Sequence, residues 1–286
     1  MRQLFSDKIK RMAKSTDYNS NWRKVASTIY KKPIDSKIFG MVELDVTELE
    51  RYIAEKRKTG VKTTLTYLIT LIIGRAIRQQ VPELNTYVKR GKIIQRDRVD
   101  ATVSVLLPGG QMGSVKVENS DQLTTAEISE FIGKKIAESR KGNENDTMQA
   151  KSMLAKLPWP FRNWLFKIYQ TITIHWGISV PGIGLDSTSF GSYVVSNIGT
   201  VGLDTGYGSL LPSSNISFVF ILGSINKKPV VIDDKVEIRR VMWLSATLDH
   251  RVVDGSHGGS LFRVIKQIAK KPEILDEKPD PSTSAF

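Results

Sequence analysis

Apolar positions along the chain recur at two spacings, and the alternation of the two lays out strands and helices in turn. Ile38 to Val46 alternates through Val42, Leu44 and Val46 as a half-buried strand. Thr47, with Glu50 three residues on, reads as a capping box that opens the next helix. A second helix spans Thr64 to Gln80; it is apolar on all sides, which places it in the core, and Pro82 stops it. Arg90-Gly91-Lys92 forms a hairpin turn, Val99 to Leu107 a strand ended by Pro108-Gly109-Gly110, and Thr124 with Glu127 caps a helix to about Ser139. Towards the C-terminus the spacing predicts strands over Phe190–Ser196, Ile216–Gly223 and Val241–Leu248. A hairpin pairs Val230–Ile232 with Val236–Ile238 around Asp233-Asp234-Lys235. The last helix, Ser256 to Ala269, buries Leu261, Val264, Ile265 and Ile268 and is stopped by Pro272. Residues 276–286, rich in Pro, Ser and charge, read as a flexible tail after a domain of residues 1–275.

Two segments stand apart. Asn21 to Lys31 has helical spacing, with Trp22, Val25, Ala26 and Ile29 on one side. After the polar loop Lys141–Asp146, Pro158 and Pro160 start a helix whose Phe161, Trp164, Leu165, Ile168, Tyr169 and Ile172 form an aromatic face. Four roles stand open for that face: ordinary packing, a lid or acyl-chain wall over a site, packing on a neighbouring subunit, or peripheral contact with a membrane through residues 158–176. His175, just beyond, reads as structural.

Composition narrows the chemistry. The 286-residue chain has no cysteine and three histidines, so disulfides, thiolate zinc sites and a cysteine nucleophile drop out and no metal site is expected. Its 42 Lys+Arg against 29 Asp+Glu give a net charge of +13, which favours anionic partners. Much of the excess lies in Lys8–Lys32 and Arg75–Arg98, with no nucleic-acid motif beside it, so nucleic acid is not the expected partner. The N-terminus lacks the apolar stretch of a signal peptide, and Leu65–Ile77 is too short to span a bilayer; a cytoplasmic protein is expected.

The chemistry concentrates at Asp249-His250-Arg251-Val252-Val253-Asp254-Gly255, between the buried strand and the last helix. A histidine delivered at a strand end can take a proton from a thiol or hydroxyl and return it near neutral pH. Asp254, four residues on, either orients the ring or clamps the loop, and Gly255 lets the chain turn into the helix.

The stretch Leu244-Ser245-Ala246-Thr247-Leu248 with this motif resembles the catalytic domain of the 2-oxo acid dehydrogenase acyltransferases, and more distantly chloramphenicol acetyltransferase. Glu43–Leu49, Pro82-Glu83-Leu84-Asn85 and Val194-Val195-Ser196-Asn197-Ile198-Gly199 resemble further segments of the family, in its order. The resemblance implies an α/β (α+β) two-layer sandwich like that of chloramphenicol acetyltransferase, a mixed sheet with helices packed on it. It implies His250 as general base and Ser196 as the hydroxyl facing the reacting carbonyl. Asp254 becomes a loop anchor, with Arg23, in Trp22-Arg23-Lys24, as its partner. Taken without the motif, Ser196 reads first as a serine ending a strand before a glycine turn, and Arg23 is equally a solvent-exposed cation.

Also implied are a homotrimer, with larger assembly open, and an active site between subunits, so that His250 and Ser196 need not share a chain. The donor would be acyl-coenzyme A, or an acyl group on a separate carrier or lipoyl protein; coenzyme A would be a co-substrate, and no cofactor stays bound. The sequence departs from the family in two places. Gly113-Ser114-Val115-Lys116-Val117 replaces a Pro-Val pair that lines the substrate channel, and an insertion occupies about residues 142–188. No lipoyl or subunit-binding segment precedes residue 20, so a stand-alone catalytic domain is expected. A catalytically silent scaffold and a membrane-surface module of the same fold are the alternatives.

Overall fold

The computed structural model describes residues 18–19, 36–106, 112–140, 158, 160–179, 188–211 and 214–279. Within them a six-stranded mixed sheet has the order β1-β8-β7-β6-β4-β5. Its strands are β1 (Lys37–Asp45), β4 (Ala101–Leu106), β5 (Met112–Val117), β6 (Tyr193–Asn197), β7 (Phe218–Ile232) and β8 (Lys235–Asp249). β6 runs parallel to both its neighbours, β4 and β7, and the remaining pairs are antiparallel. A separate hairpin joins β2 (Thr86–Lys89) and β3 (Lys92–Gln95), with Arg90 and Gly91 both at positive φ in the turn. The helices are α1 (Thr47–Lys58), α2 (Leu65–Gln79), α3 (Thr125–Arg140), α4 (Phe161–Gln170) and α5 (Gly255–Ala269). A sheet with helices packed on it is the two-layer arrangement that the sequence implied.

Alternation along the central strands divides the molecule. Tyr193 and Val195 of β6, Phe218, Phe220 and Leu222 of β7 and Leu244, Ala246 and Leu248 of β8 enter one core together with α1, α2, α3 and α5. Leu68, Ile69, Leu71, Ile72, Ile73 and Ile77 of α2 are all completely buried there, each contributing about 2 kcal/mol of transfer free energy. The intervening residues Val194, Val219 and Ile221 turn to the opposite face and pack with Leu210, Ile216, Phe190 and Ile198.

Several local expectations shift. The capping box at Thr47 does not form: the Thr47 N–H donates to Asp45 Oδ1 at 2.9 Å, and Glu50 instead accepts from Arg240 Nε and Nη2 at 2.9 and 3.0 Å. An aspartate two residues upstream and a facing guanidinium outcompete the local motif. The Thr124–Glu127 box does form, with Thr124 N–H on Glu127 Oε2 at 2.8 Å. Strand 216–223 and the following hairpin prove to be one continuous ribbon, with an irregularity between Leu222 and Ile225.

Arg75, in the helix that the sequence places in the core, is 4% exposed and donates to the carbonyls of Leu123, Ile274 and Glu277 at 3.0, 2.7 and 2.5 Å. It stitches the chain end onto α2. Asp276 likewise accepts from Tyr52 Oη at 2.6 Å and pairs with Lys56, so the first residues assigned to a flexible tail are anchored. Residues 280–286 lie outside the described residues, as do Arg23 and the 21–31 helix.

Candidate active site

β8 ends at Asp249, whose N–H donates to Ser217 O at 2.8 Å, and the next residue, His250, donates its N–H to Ser36 O at 2.6 Å. The chain then closes on itself: Val252 N–H and Val253 N–H both donate to Asp249 O, at 3.1 and 3.2 Å. Asp249 and Arg251 form a side-chain pair inside this turn, with Arg251 Nε 2.9 and 3.0 Å from the two carboxylate oxygens. Both side chains are below 10% exposed. A buried, bidentate pair two residues apart leaves the loop little freedom, because losing either partner strands a charge in a low-dielectric interior.

That loop fixes the state of His250. Its Nδ1 lies 2.9 Å from Val253 O. A carbonyl oxygen only accepts, so Nδ1 carries the hydrogen and the neutral ring has its lone pair on Nε2. The ring is thereby held as a base with its reactive nitrogen turned away from the loop. Asp254 Oδ1 stands 3.3 Å from the same Nδ1.

Asp254 is also the N-cap of α5. Its N–H donates to His257 Nδ1 at 2.9 Å, so His257 holds the opposite tautomer, with its hydrogen on Nε2. His257 is half-buried and closes the capping box that aims Asp254. Asp249, Arg251 and His257 brace this loop, and sequence reasoning assigned none of them a role. The i, i+2 opposite-charge pair beside an apolar strand was the one visible clue.

Ser196 sits near the end of β6, on the face turned away from the helices, as its two-residue spacing from Val194 requires. Its neighbours fix the turn that follows. Asn197 Nδ2 donates to Thr66 Oγ1 at 3.0 Å, and Gly199 lies against Gly223, where an added Cβ would meet the Gly223 carbonyl at 2.5 Å. A Cβ at Gly223 would in turn strike the Asp204 carbonyl, and Ser224 N–H donates to Leu203 O at 3.0 Å. The 203–211 loop is therefore laid across the second face of the sheet.

Register separates the two candidates. Ser196 pairs with Ile221 and Ile221 with Ser245, five residues before His250 and two strands away. Strand rise and spacing then put Ser196 and His250 roughly 19 Å apart in one chain. The structure brings His250 and Asp254 together and leaves Ser196 in a different place. On the Ser196 side of the sheet Phe39 and Tyr207 meet edge to face at 4.9 Å, and both remain exposed, as do Val201, Leu203 and Leu211. Among the described residues no cluster of His, Cys, Asp and Glu could hold a metal ion.

The strand, turn and cap that present His250 are matched by more than local pattern. The family model of the 2-oxoacid dehydrogenases acyltransferase (catalytic domain) matches residues 21–152 and 183–275. The chain belongs to this acyltransferase family. The stretch that the family model leaves unmatched contains α4.

Among curated relatives, the dihydrolipoyllysine-residue succinyltransferase component of the 2-oxoglutarate dehydrogenase complex of Rickettsia conorii is 25% identical over 199 residues, 68% of this chain and 39% of that protein. The dihydrolipoyllysine-residue acetyltransferase component of the pyruvate dehydrogenase complex of Mycoplasma capricolum is 24% identical over 242 residues, 82% of this chain and 45% of the relative. The chain thus spans less than half the length of these relatives. The crystal structure of a probable dihydrolipoamide acetyltransferase from Listeria monocytogenes shares the fold with a TM-score of 0.62 at 21% identity, covering 82% of this chain and 84% of the other. The cubic core of a pyruvate dehydrogenase multienzyme complex gives 0.60 at 16%, covering 84% and 83%.

Proposed function

We propose that this chain is an acyltransferase that moves an acyl group from a thioester to a thiol or hydroxyl, with His250 as general base. The observation that carries the reading is the 2.9 Å contact from His250 Nδ1 to Val253 O, which leaves Nε2 as the basic nitrogen. Nε2 takes the proton of the acceptor S–H or O–H as that atom attacks the thioester carbonyl. The tetrahedral oxyanion collapses, the C–S bond to the donor breaks, and the departing thiolate recovers the proton from Nε2. No covalent enzyme intermediate is required.

Ser196 is the proposed oxyanion donor, contributed by a neighbouring subunit. This is supported by the separation of the two residues within one chain and by the exposed apolar side chains around the Ser196 face, which a subunit contact would cover. A trimer is the smallest unit that fits, and larger assembly stays open to it. Asp254 anchors the loop that presents the ring, with Arg23 as its further partner.

The donor is proposed to be an acyl-coenzyme A or an acyl group on a lipoyl-type carrier, both suited to a chain of net charge +13. The names of the relatives support a dihydrolipoyl thiol as acceptor. The test is a mass-spectrometric screen of acyl-coenzyme A donors against thiol and hydroxyl acceptors, run with the parent and His250→Ala at equal oligomer size. Transfer by the parent with a loss of about 10²- to 10⁴-fold in the variant is expected. Equal rates from both proteins across the panel would replace the acyltransferase with a silent scaffold.

A further inference from the structure

Helix α4 keeps its apolar face turned outward. Phe161, Trp164 and Leu165, at i, i+3 and i+4, are 64, 66 and 47% exposed, and Trp176 beyond the helix is 53% exposed. The segment is nevertheless held in place. α4 continues into a wider turn in which Trp176 N–H donates to Thr171 O at 2.9 Å, and Thr173 and Ile174 are buried. Arg90 Nε, from the β2–β3 turn, donates to Trp176 O at 2.9 Å. Exposed aromatic side chains on an anchored helix are a built surface.

Its charge is one-sided. Among the described residues 160–179 there is no acidic residue, and Lys167 of α4 is exposed. The hairpin that holds Trp176 repeats the pattern: between Glu83 and Asp97 there is no acid, but Lys89, Arg90, Lys92 and Arg96 are present. Asn19 meets the same hairpin, accepting from Ile93 N–H at 3.0 Å.

We propose that this aromatic and cationic surface docks the protein on an anionic lipid bilayer. Tryptophan and phenylalanine rings enter the interface between headgroups and acyl chains, while lysine and arginine around them meet the negative surface potential. A second copy of the chain is the poorer occupant, since two such surfaces would bring cations against cations. No helix among the described residues is long and apolar enough to cross a membrane, so the contact is peripheral. The inference is independent of the acyl-transfer reading, because it involves neither His250 nor Ser196.

The experiment is co-sedimentation of the purified protein with vesicles of phosphatidylcholine alone and of phosphatidylcholine mixed with phosphatidylglycerol. It uses the parent, the Phe161→Ser/Trp164→Ser variant, the Lys89→Glu/Lys92→Glu variant and His250→Ala, with sedimentation velocity of each. Expected are pelleting of the parent with the anionic vesicles only and a fall of roughly tenfold or more in the partition coefficient for the first two variants. His250→Ala should bind as the parent does, and oligomer size should be the same throughout. The proposal is overturned if the parent stays in the supernatant, if both surface variants pellet as it does, or if Phe161→Ser/Trp164→Ser reduces the oligomer, which would make the face a subunit contact.

Discussion

The His250 loop and helix α4 are both short, and both interrupt regular packing, yet they treat their polar and apolar groups in opposite ways. In the loop nearly every group faces inward. The Asp249 carboxylate is matched by Arg251, the backbone of residues 250–253 is tied to Ser36 and to Asp249, and the histidine ring is bonded to the loop's own carbonyl. In α4 the backbone is satisfied but the largest side chains face out. Rigidity in the first case aims one nitrogen; exposure in the second leaves surface for something else to cover. A substitution should therefore be expensive for stability in the loop and inexpensive in the helix.

The largest effect on folding should come from Arg251→Met, which leaves Asp249 charged and buried. A loss of about 3–5 kcal/mol is expected by denaturant unfolding. Replacing both partners, as in Asp249→Leu/Arg251→Met, should cost clearly less than the sum of the single changes. Additive losses would mean that the two side chains do not act as a pair.

Ser196→Ala should lower the turnover number by about 10²-fold with little change in unfolding midpoint, since a hydroxyl that stabilises an oxyanion matters mainly in the transition state. Mixing this variant with His250→Ala tests the separation of the two residues: subunits that share sites should restore part of the activity that neither variant has alone. Absence of recovery in verified mixed oligomers would place the site within one chain.

His257→Leu removes the acceptor of the Asp254 N–H and should cost about 1 kcal/mol, with partial recovery in His257→Glu, whose carboxylate can reach the same N–H. Equal stability in the leucine variant would reduce the capping bond to a by-product of proximity. Smallest of all, Phe161→Ser/Trp164→Ser should change stability by less than about 0.5 kcal/mol, because exposed side chains lose little on truncation. A larger loss would show that α4 packs inward in solution, which would erase the contrast with the loop.

Elsewhere in the fold a buried carboxylate is only half satisfied: Arg78 Nε meets Asp121 Oδ2 at 2.8 Å, while the buried Oδ1 has no hydrogen-bond partner. Burial pushes the Asp121 carboxyl above its ordinary range despite the nearby Arg78. A raised carboxyl contributes stability below the unfolded pKa and loses it as the pH rises through the folded one. Asp121→Asn should then be more stable than the parent at neutral pH, with the gain closing as the pH falls through the carboxylate range.

Much of the fold was legible in spacing alone. Strand β1 and the helices α2, α3 and α5 begin and end within a few residues of where alternation and proline or capping residues put them, because those signals are local. What spacing could not give was partnership. Thr47 and Glu50 carry a capping box in sequence, but Asp45 and Arg240 claim them, and Arg240 is nearly two hundred residues away. Spacing puts Arg75 in a core helix, but it does not give the three distant carbonyls that converge on it.

The same division runs through the site. Sequence by itself determined that a histidine would stand at the end of a buried strand with an aspartate four residues on, because a seven-residue motif fixes its own neighbours. Only the tertiary structure decided which nitrogen of His250 is basic, that His257 aims Asp254, and that Ser196 lies two strands away on the far side of the sheet. Those facts depend on the directions of single hydrogen bonds and on strand register, which arise where segments distant in sequence meet.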